Sequence, residues 1–298
     1  MQDKFKIGYF ADGPWSHRAF ELLMSHPNIS VEFIVPRTDT QDYTLLNYAQ
    51  KYSIDYLHPV KINSFEFIEK ARSYECDLFV SMSFNQIFRD EIIHLPRLDT
   101  INCHAGKLPF YRGRNILNWA LINDEKEFGI TVHYVDSGID TGDIILQKGY
   151  QIRDTDTYAT LLELAYEECA SLLYEAVLKL LIGVTERTLQ TDIHPVGFYC
   201  GRRGFGDEII NWHQTSREVF NFIRAICSPG PKATTFFNGE EIKINSARMI
   251  SQAPTYMNTP GQLLSKTYNG FLVKTNDSFI EIMEIETRTN LRVGDKLG

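Results

Sequence analysis

The amino terminus of this chain lacks a long apolar run. Met1-Gln2-Asp3-Lys4-Phe5-Lys6 leads into a short apolar stretch that soon meets Asp12 and Gly13, whereas a membrane span needs about 20 apolar residues. Cysteine is scarce. The five, at positions 76, 103, 169, 200 and 227, are odd in number and never fall in a C-x-x-C spacing, so reduced thiols are expected rather than a disulfide framework. The eight histidines include no H-x-x-x-H pair, which leaves no metal implied. Positive charge is also short: 30 Lys and Arg stand against 38 Asp and Glu, a net charge of −8. Residues 195–298 carry 12 Lys and Arg against 10 Asp and Glu, a balance of only +2. Neither part has the basic excess of a phosphate-tracking surface, so nucleic acid is disfavoured as a partner. These absences point to a cytoplasmic protein with no membrane partner.

What is present is an ordinary globular composition, 43% hydrophobic and 23% charged over 298 residues, long enough for two domains. Residues 5–10 read as a strand, Asp12-Gly13-Pro14 as a turn and residues 16–24 as a helix. Residues 31–35 give a second strand, ended by Pro36. Helices at 43–52 and 65–73 are each followed by an apolar stretch, at 57–62 and 77–82. Such alternation predicts an α/β domain with a doubly wound, Rossmann-like, mostly parallel sheet. Residues 77–82 read as a central strand buried on both faces, with residues 83–87 as the loop at its carboxyl end, where ligands of such sheets gather. Residues 100–103 make the next strand, 116–122 a helix, and 129–135 with 144–150 two strands joined by the 136–143 loop. Residues 157–181 form the longest helix, with Leu161, Leu162, Ala165, Ala176, Leu180 and Leu181 at helical spacing.

After Gly183 the texture changes. Residues 193–207 are rich in glycine and arginine and read as a linker. Gly201, Gly204 and Gly206 are no dinucleotide fingerprint, because no strand leads into them with a helix directly following. A helix at 216–227 stops at Pro229-Gly230-Pro231, and short strands at 233–237, 242–250, 270–274 and 279–285 suggest a smaller β-rich, barrel-like domain. The expected domains are 1–200 and 201–298.

Chemistry concentrates in one stretch. Asn102 and His104 are two apart and share one side of an extended chain, and Ile139-Asp140-Thr141-Gly142-Asp143 follows the strand holding His133. An amide, an imidazole and a carboxylate suit transfer of a one-carbon acyl group to an amine. The amide stabilises a developing oxyanion, the imidazole takes the amine's proton, and the carboxylate orients or balances the imidazole. Cys103 points away from the pair and reads as buried; His133 reads as a core histidine.

Asn102-x-His104, Leu108-Pro109, Tyr111-Arg112-Gly113, Gly129-Ile130-Thr131-Val132-His133 and residues 139–143 together resemble the formyltransferases that use N10-formyltetrahydrofolate. That group includes the glycinamide ribonucleotide, methionyl-tRNA and sugar N-formyltransferases. Glu208-Ile209-Ile210-Asn211-Trp212, Ile223-Arg224-Ala225 and Pro229-Gly230-Pro231 further resemble the start of the carboxyl-terminal domain of the tRNA and sugar enzymes. The resemblance implies Asn102, His104 and Asp140 as the catalytic trio. It places the folate against Ser83, Phe84, Asn85, Gln86 and Ile87 on one loop, and Asp136, Gly138 and Asp143 on the other.

Three acceptors compete. Glycinamide ribonucleotide enzymes usually end after one domain. Methionyl-tRNA enzymes usually carry Ser-Leu-Leu-Pro and Arg-Gly-Ala-Ala-Pro where this chain has Gly106-Lys107-Leu108-Pro109 and Arg112-Gly113-Arg114-Asn115-Ile116. Residues 107–117 with His133-Tyr134-Val135-Asp136 look more like the sugar N-formyltransferases, whose substrate is an amino sugar on a nucleotide, typically dTDP, for surface polysaccharide such as lipopolysaccharide O-antigen. Asp12, Trp15, Arg112, Arg114, Asn115 and Arg202 are then the expected substrate contacts, since guanidinium groups bind phosphate bidentately. The tRNA enzyme remains the alternative, and a catalytically inactive folate or nucleotide-sugar binding module a remote one. Enzymes of the sugar type are commonly dimeric, so a homodimer is a possible assembly.

Overall fold

A computed structural model describes residues 4–298, so Met1, Gln2 and Asp3 of the lead-in lie outside the described residues. The strands of the first part are β1 (Phe5–Ala11), β2 (Ile29–Val35), β3 (Asp55–Tyr56), β4 (Leu78–Met82), β5 (Thr100–His104), the two-residue β6 (Arg112–Gly113), β7 (Glu127–Tyr134), β8 (Ile144–Gln151) and the two-residue β9 (Tyr199–Cys200). Helices α1 (Pro14–Ser25), α2 (Tyr43–Tyr52), α3 (Phe65–Arg72), α4 (Asp90–Ile93), α5 (Ile116–Ile122), α6 (Tyr158–Leu181) and α7 (Gln190–Ile193) fall between them. Seven strands form one sheet in the order β3-β2-β1-β4-β5-β7-β8. The pairs β1–β2, β1–β4, β2–β3 and β4–β5 are parallel, and β5–β7 is antiparallel. The doubly wound sheet is therefore borne out.

Strand β4 is buried at all five positions and β1 at six of seven, as expected where crossover helices cover both faces. Helix boundaries follow from capping chemistry. The Asp42 carboxylate accepts from Thr44 N and Leu45 N to start α2, and Pro14 opens α1, where a missing N–H costs nothing. Of the two apolar stretches that follow α2 and α3, 57–62 runs as turn and coil, and the strand there is the two-residue β3 just before it. Pro59 and the Asn63-Ser64 start of α3 leave too little chain there for a ladder. The sequence reading also passed over β6, β9, α4 and α7, which are too short to show a period.

The order of strands reverses between β1 and β4, so the crevice of this sheet opens where Asp12 and Ser83 leave those strands. Beneath it Phe10 is fully buried and meets Phe33, Phe67, Phe79, Phe84 and Phe88 at ring-centroid distances of 5.0 to 6.1 Å. Phe84 thereby anchors the 83–87 loop to the core.

The chain divides into two compact units: residues 1–113, 129–150 and 163–199, and residues 114–128, 151–162 and 200–298. The second therefore draws in two segments from within the expected first domain. It holds α8 (Ser216–Ile226) and an antiparallel sheet of β10 (Ala233–Phe237), β11 (Glu240–Met249), β12 (Leu263–Lys266), β13 (Gly270–Lys274) and β14 (Phe279–Glu286), in the order β10-β11-β14-β13-β12. Strand β12 is one more than the sequence suggested. Helix α5 is joined to this unit by Asn118 Nδ2, which donates to Ala225 O (2.6 Å), and the 151–162 segment by the Arg224 guanidinium, 3% exposed, which donates to the carbonyls of Arg153 and Asp156. Thr215 and Glu218 form a capping box at the start of α8. Among the described residues no helix is long and apolar enough to cross a membrane.

Replacing Phe10 by Ala should destabilise the fold by about 3–5 kcal/mol, the range for emptying a buried aromatic site. Denaturant unfolding monitored by circular dichroism measures this, and a loss below about 1 kcal/mol would contradict the packing described.

Candidate active site

The site is built on the antiparallel pair β5–β7. Their register sets Asn102 opposite His133 and His104 opposite Thr131. Asn102 Nδ2 lies 3.2 Å from His133 Nε2. The Asp140 carboxylate lies between the two imidazoles, with Oδ1 3.5 Å from His133 Nε2 and Oδ2 3.6 Å from His104 Nδ1. All three side chains are largely buried, with exposures of 10% for His104, 13% for Asp140 and 3% for His133. Asn102, His104 and Asp140, separated by up to 38 positions in sequence, thus share one cluster, as the sequence implied.

Neighbouring carbonyls decide the tautomers. His104 Nε2 is 2.7 Å from Tyr111 O, and a carbonyl can only accept, so Nε2 carries the hydrogen. The Nδ1 lone pair of neutral His104 then faces Asp140. Gly106 permits this bond, because a Cβ there would sit 2.3 Å from His104 Nε2 and 2.5 Å from Tyr111 O. His133 Nδ1 likewise donates to Tyr134 O at 2.8 Å, leaving Nε2 to accept from the Asn102 amide. Asn102 is therefore held with its nitrogen toward His133, and one of its two N–H groups is free to donate elsewhere.

Burial pushes the His104 imidazole below its ordinary range, with the Asp140 charge and the Tyr111 carbonyl pulling the other way. Burial alone would raise Asp140, but His104, His133 and the Gly113 N–H hold its carboxyl far below the usual carboxylate range. The resting state is a neutral imidazole beside a carboxylate. A proton arriving on Nδ1 turns that neighbour into an ion pair in a poorly solvated place, where such a pair is strong.

The backbone of the 136–143 loop is shaped for this. Asp140 has a left-handed φ of 54°, and its Oδ2 accepts from Gly113 N at 2.8 Å. Gly142 has no space for a side chain, since a Cβ would lie 1.9 Å from Tyr134 O. Exposed Asp136 accepts from Gly138 N and Thr141 Oγ1, so it closes the turn. Asp143 is half-buried, and its backbone carbonyl accepts from Tyr134 N. On the other loop Ser83 has a left-handed φ of 57°, the Ile87 carbonyl accepts from Asn63, and Gln86 Oε1 accepts from Ile62 N. Gln86 Nε2 and Asn85 Oδ1 are buried and have no protein partner among the described residues. A buried donor and a buried acceptor left over on one loop suit a polar ligand edge such as that of a pterin.

The expected substrate contacts divide between the two units. In the first, Asp12 is 6% exposed and accepts from Thr40 Oγ1 at 2.7 Å, and Trp15 packs edge-on against Tyr166. Arg112 turns its guanidinium to Gln190 Oε1 and lies 5.5 Å over the Tyr199 ring. In the second, Arg114 and Arg202 are exposed, while the side-chain oxygen of Asn115 accepts from Arg203 N at 3.0 Å. His133, read from sequence as a core histidine, is buried as expected but also bridges Asn102 and Asp140, and Gln190 was not singled out at all. Only the strand register reveals the bridge, and Gln190 lies 50 positions beyond Asp140 with no local signal.

An amide donor, a neutral imidazole and a carboxylate beside a doubly wound sheet suit the transfer of an acyl group to an amine. Residues 32–177 match the formyl transferase family and residues 206–293 the formyl transferase carboxyl-terminal domain. The chain belongs to this family and is a formyltransferase. It is 32% identical to the methionyl-tRNA formyltransferase of Pelotomaculum thermopropionicum over 84% of this chain and 79% of that one, and 34% identical to that of Staphylococcus aureus over 77% and 72%. Among solved structures it is similar to WlaRD, a sugar 3N-formyl transferase crystallised with dTDP and 5-N-formyl-THF (TM-score 0.70, 22% identity, 96% of this chain and 99% of that one). It is also similar to the N-formyltransferase of Helicobacter canadensis in complex with folinic acid and dTDP-3-aminofucose (TM-score 0.73, 21% identity, 95% and 100%). At these identities the structures attest the fold.

Nuclear magnetic resonance of ring-labelled histidine tests the protonation scheme. His104 should hold its hydrogen on Nε2 at neutral pH and titrate below the ordinary imidazole range. Asp140→Asn removes the charge that raises this value, so the titration should move lower still; an upward move would contradict the assignment.

Proposed function

We propose that this formyltransferase moves the formyl group of N10-formyltetrahydrofolate to the amine of a deoxysugar carried on a nucleotide of the dTDP type, in the cytoplasm, for surface polysaccharide. The observation that carries the transfer is the Asn102–His133–Asp140–His104 cluster, with its free amide N–H and its basic Nδ1. The folate supplies the formyl group and would be held by the 83–87 and 136–143 loops, with Asn85 Oδ1 and Gln86 Nε2 available to its polar edge.

The chain's own residues do the rest. Asn102 donates to the carbonyl oxygen as negative charge collects there, and its second hydrogen bond to His133 fixes its direction. His104 Nδ1 takes the proton that the attacking nitrogen must lose and returns it to N10 as the formyl C–N10 bond breaks and tetrahydrofolate leaves. Asp140 stabilises the imidazolium and, through Gly113 N, keeps its carboxylate turned inward.

Support for a sugar acceptor comes from two sides. The related sugar enzymes span both units of the chain, and one was crystallised with dTDP-3-aminofucose. The net charge of −8 also suits a small nucleotide better than a transfer RNA, whose affinity rests on phosphate neutralisation. The 32–34% identity to methionyl-tRNA formyltransferases favours the second reading.

One assay separates them. The protein is incubated with N10-formyltetrahydrofolate and either a panel of nucleotide-linked amino sugars or initiator Met-tRNA. Formylation of an amino sugar is expected, and formylation of the tRNA alone would sink the sugar reading. Asn102→Ala should slow turnover about 10²- to 10³-fold, the usual cost of one oxyanion donor; a rate within threefold of wild type would contradict its role.

A further inference from the structure

Asp140 sits at a left-handed φ of 54°, a conformation that Asp tolerates better than most side-chain-bearing residues but that still has to be held by its surroundings. Gln190 supplies that hold. It opens α7, is only 4% exposed, and donates from Nε2 to two carbonyls of the loop, Asp140 O at 2.9 Å and Gly142 O at 2.8 Å. Its Oε1 accepts from Arg112 Nη2 at 2.6 Å and Nε at 3.1 Å. No other amide orientation works, since a guanidinium can only donate and a carbonyl can only accept. The segment carrying Gln190 is itself tied down, for Thr188 and Ile144 exchange backbone hydrogen bonds of 2.9 and 2.8 Å.

Asp140 is thus gripped twice from one strand. Gly113 N holds its carboxylate, and Arg112, the preceding residue, holds the amide that holds its backbone. We infer that Gln190 is a positioning residue for formyl transfer. It fixes the left-handed turn at Asp140 and so aims the carboxylate at His104 Nδ1, without touching substrate. The inference rests on formyl transfer itself and holds for any amine acceptor.

A double-mutant cycle tests it, with turnover measured using N10-formyltetrahydrofolate and whichever of the dTDP-linked amino sugar or initiator Met-tRNA the wild-type protein formylates. Failure of the sugar reading would therefore appear in the wild type and leave the cycle measurable. Gln190→Met should lower kcat about 10- to 100-fold with KM for the folate changed less than about threefold, as for a misaimed catalytic group. Placed on Asp140→Asn, the same change should cost less than about threefold more, because the group it aims is already disabled. Gln190→Glu is the second variant. It keeps the acceptor for Arg112 but loses the donor to the two carbonyls, so its kcat should also fall about tenfold or more while thermal unfolding shows a folded protein. Two results would overturn the inference: a folded Gln190→Glu protein with wild-type kcat, or a Gln190→Met loss that multiplies in full on Asp140→Asn. Either would make Gln190 a structural partner of Arg112 only.

Discussion

The antiparallel pairing of β5 with β7 is the constraint on which the site depends. It puts Asn102 directly across from His133, and through that one contact the amide is turned and the imidazole beside Asp140 is fixed. A register slip of one residue would send the whole set to the opposite face of the sheet. The slip is blocked by the flanking pairs, Ile101 with Tyr134 and Cys103 with Val132, whose side chains are buried on the other face. Core packing and the geometry of the candidate site are two consequences of one alignment.

Electrostatics then decides what the cluster can do. A carboxylate 13% exposed is costly unless paired, and Asp140 answers with Gly113 N and two nearby imidazoles. His104 responds to the same burial in the opposite sense and stays neutral. A neutral base next to a fixed anion is primed to accept one proton. The separation of 3.6 Å is longer than a hydrogen bond, so the full attraction develops only once Nδ1 is protonated. The Asp42 carboxylate plays a comparable structural role at the crevice end of β1, where it accepts from Gly13, Thr44 and Leu45 N–H groups and meets His17.

The doubly wound sheet was legible because apolar runs alternate with amphipathic stretches, and Asn102, His104 and Asp140 were legible through the motifs around them, which resemble those of the formyltransferases; their strand and loop spacing alone would not have singled them out. What stayed hidden depends on distance in sequence. His133 looks like any buried residue of an alternating strand until its partner is known. Gln190 works on a loop 50 positions earlier. Arg112, with the guanidinium expected for phosphate, is turned onto that glutamine. The unit boundary was only half visible, since α5 leaves the first unit through Asn118 and its bond to Ala225, which no composition shift announces.

In the proposed reaction the amide, the imidazole and the carboxylate act as one device. Single-turnover formyl transfer by Asn102→Ala, His104→Ala, Asp140→Ala and the triple variant tests it most directly. If the three act together, the triple variant should be no more than about tenfold slower than the slowest single variant, as for groups that work as a unit. Losses that multiply across all three sites would contradict the account.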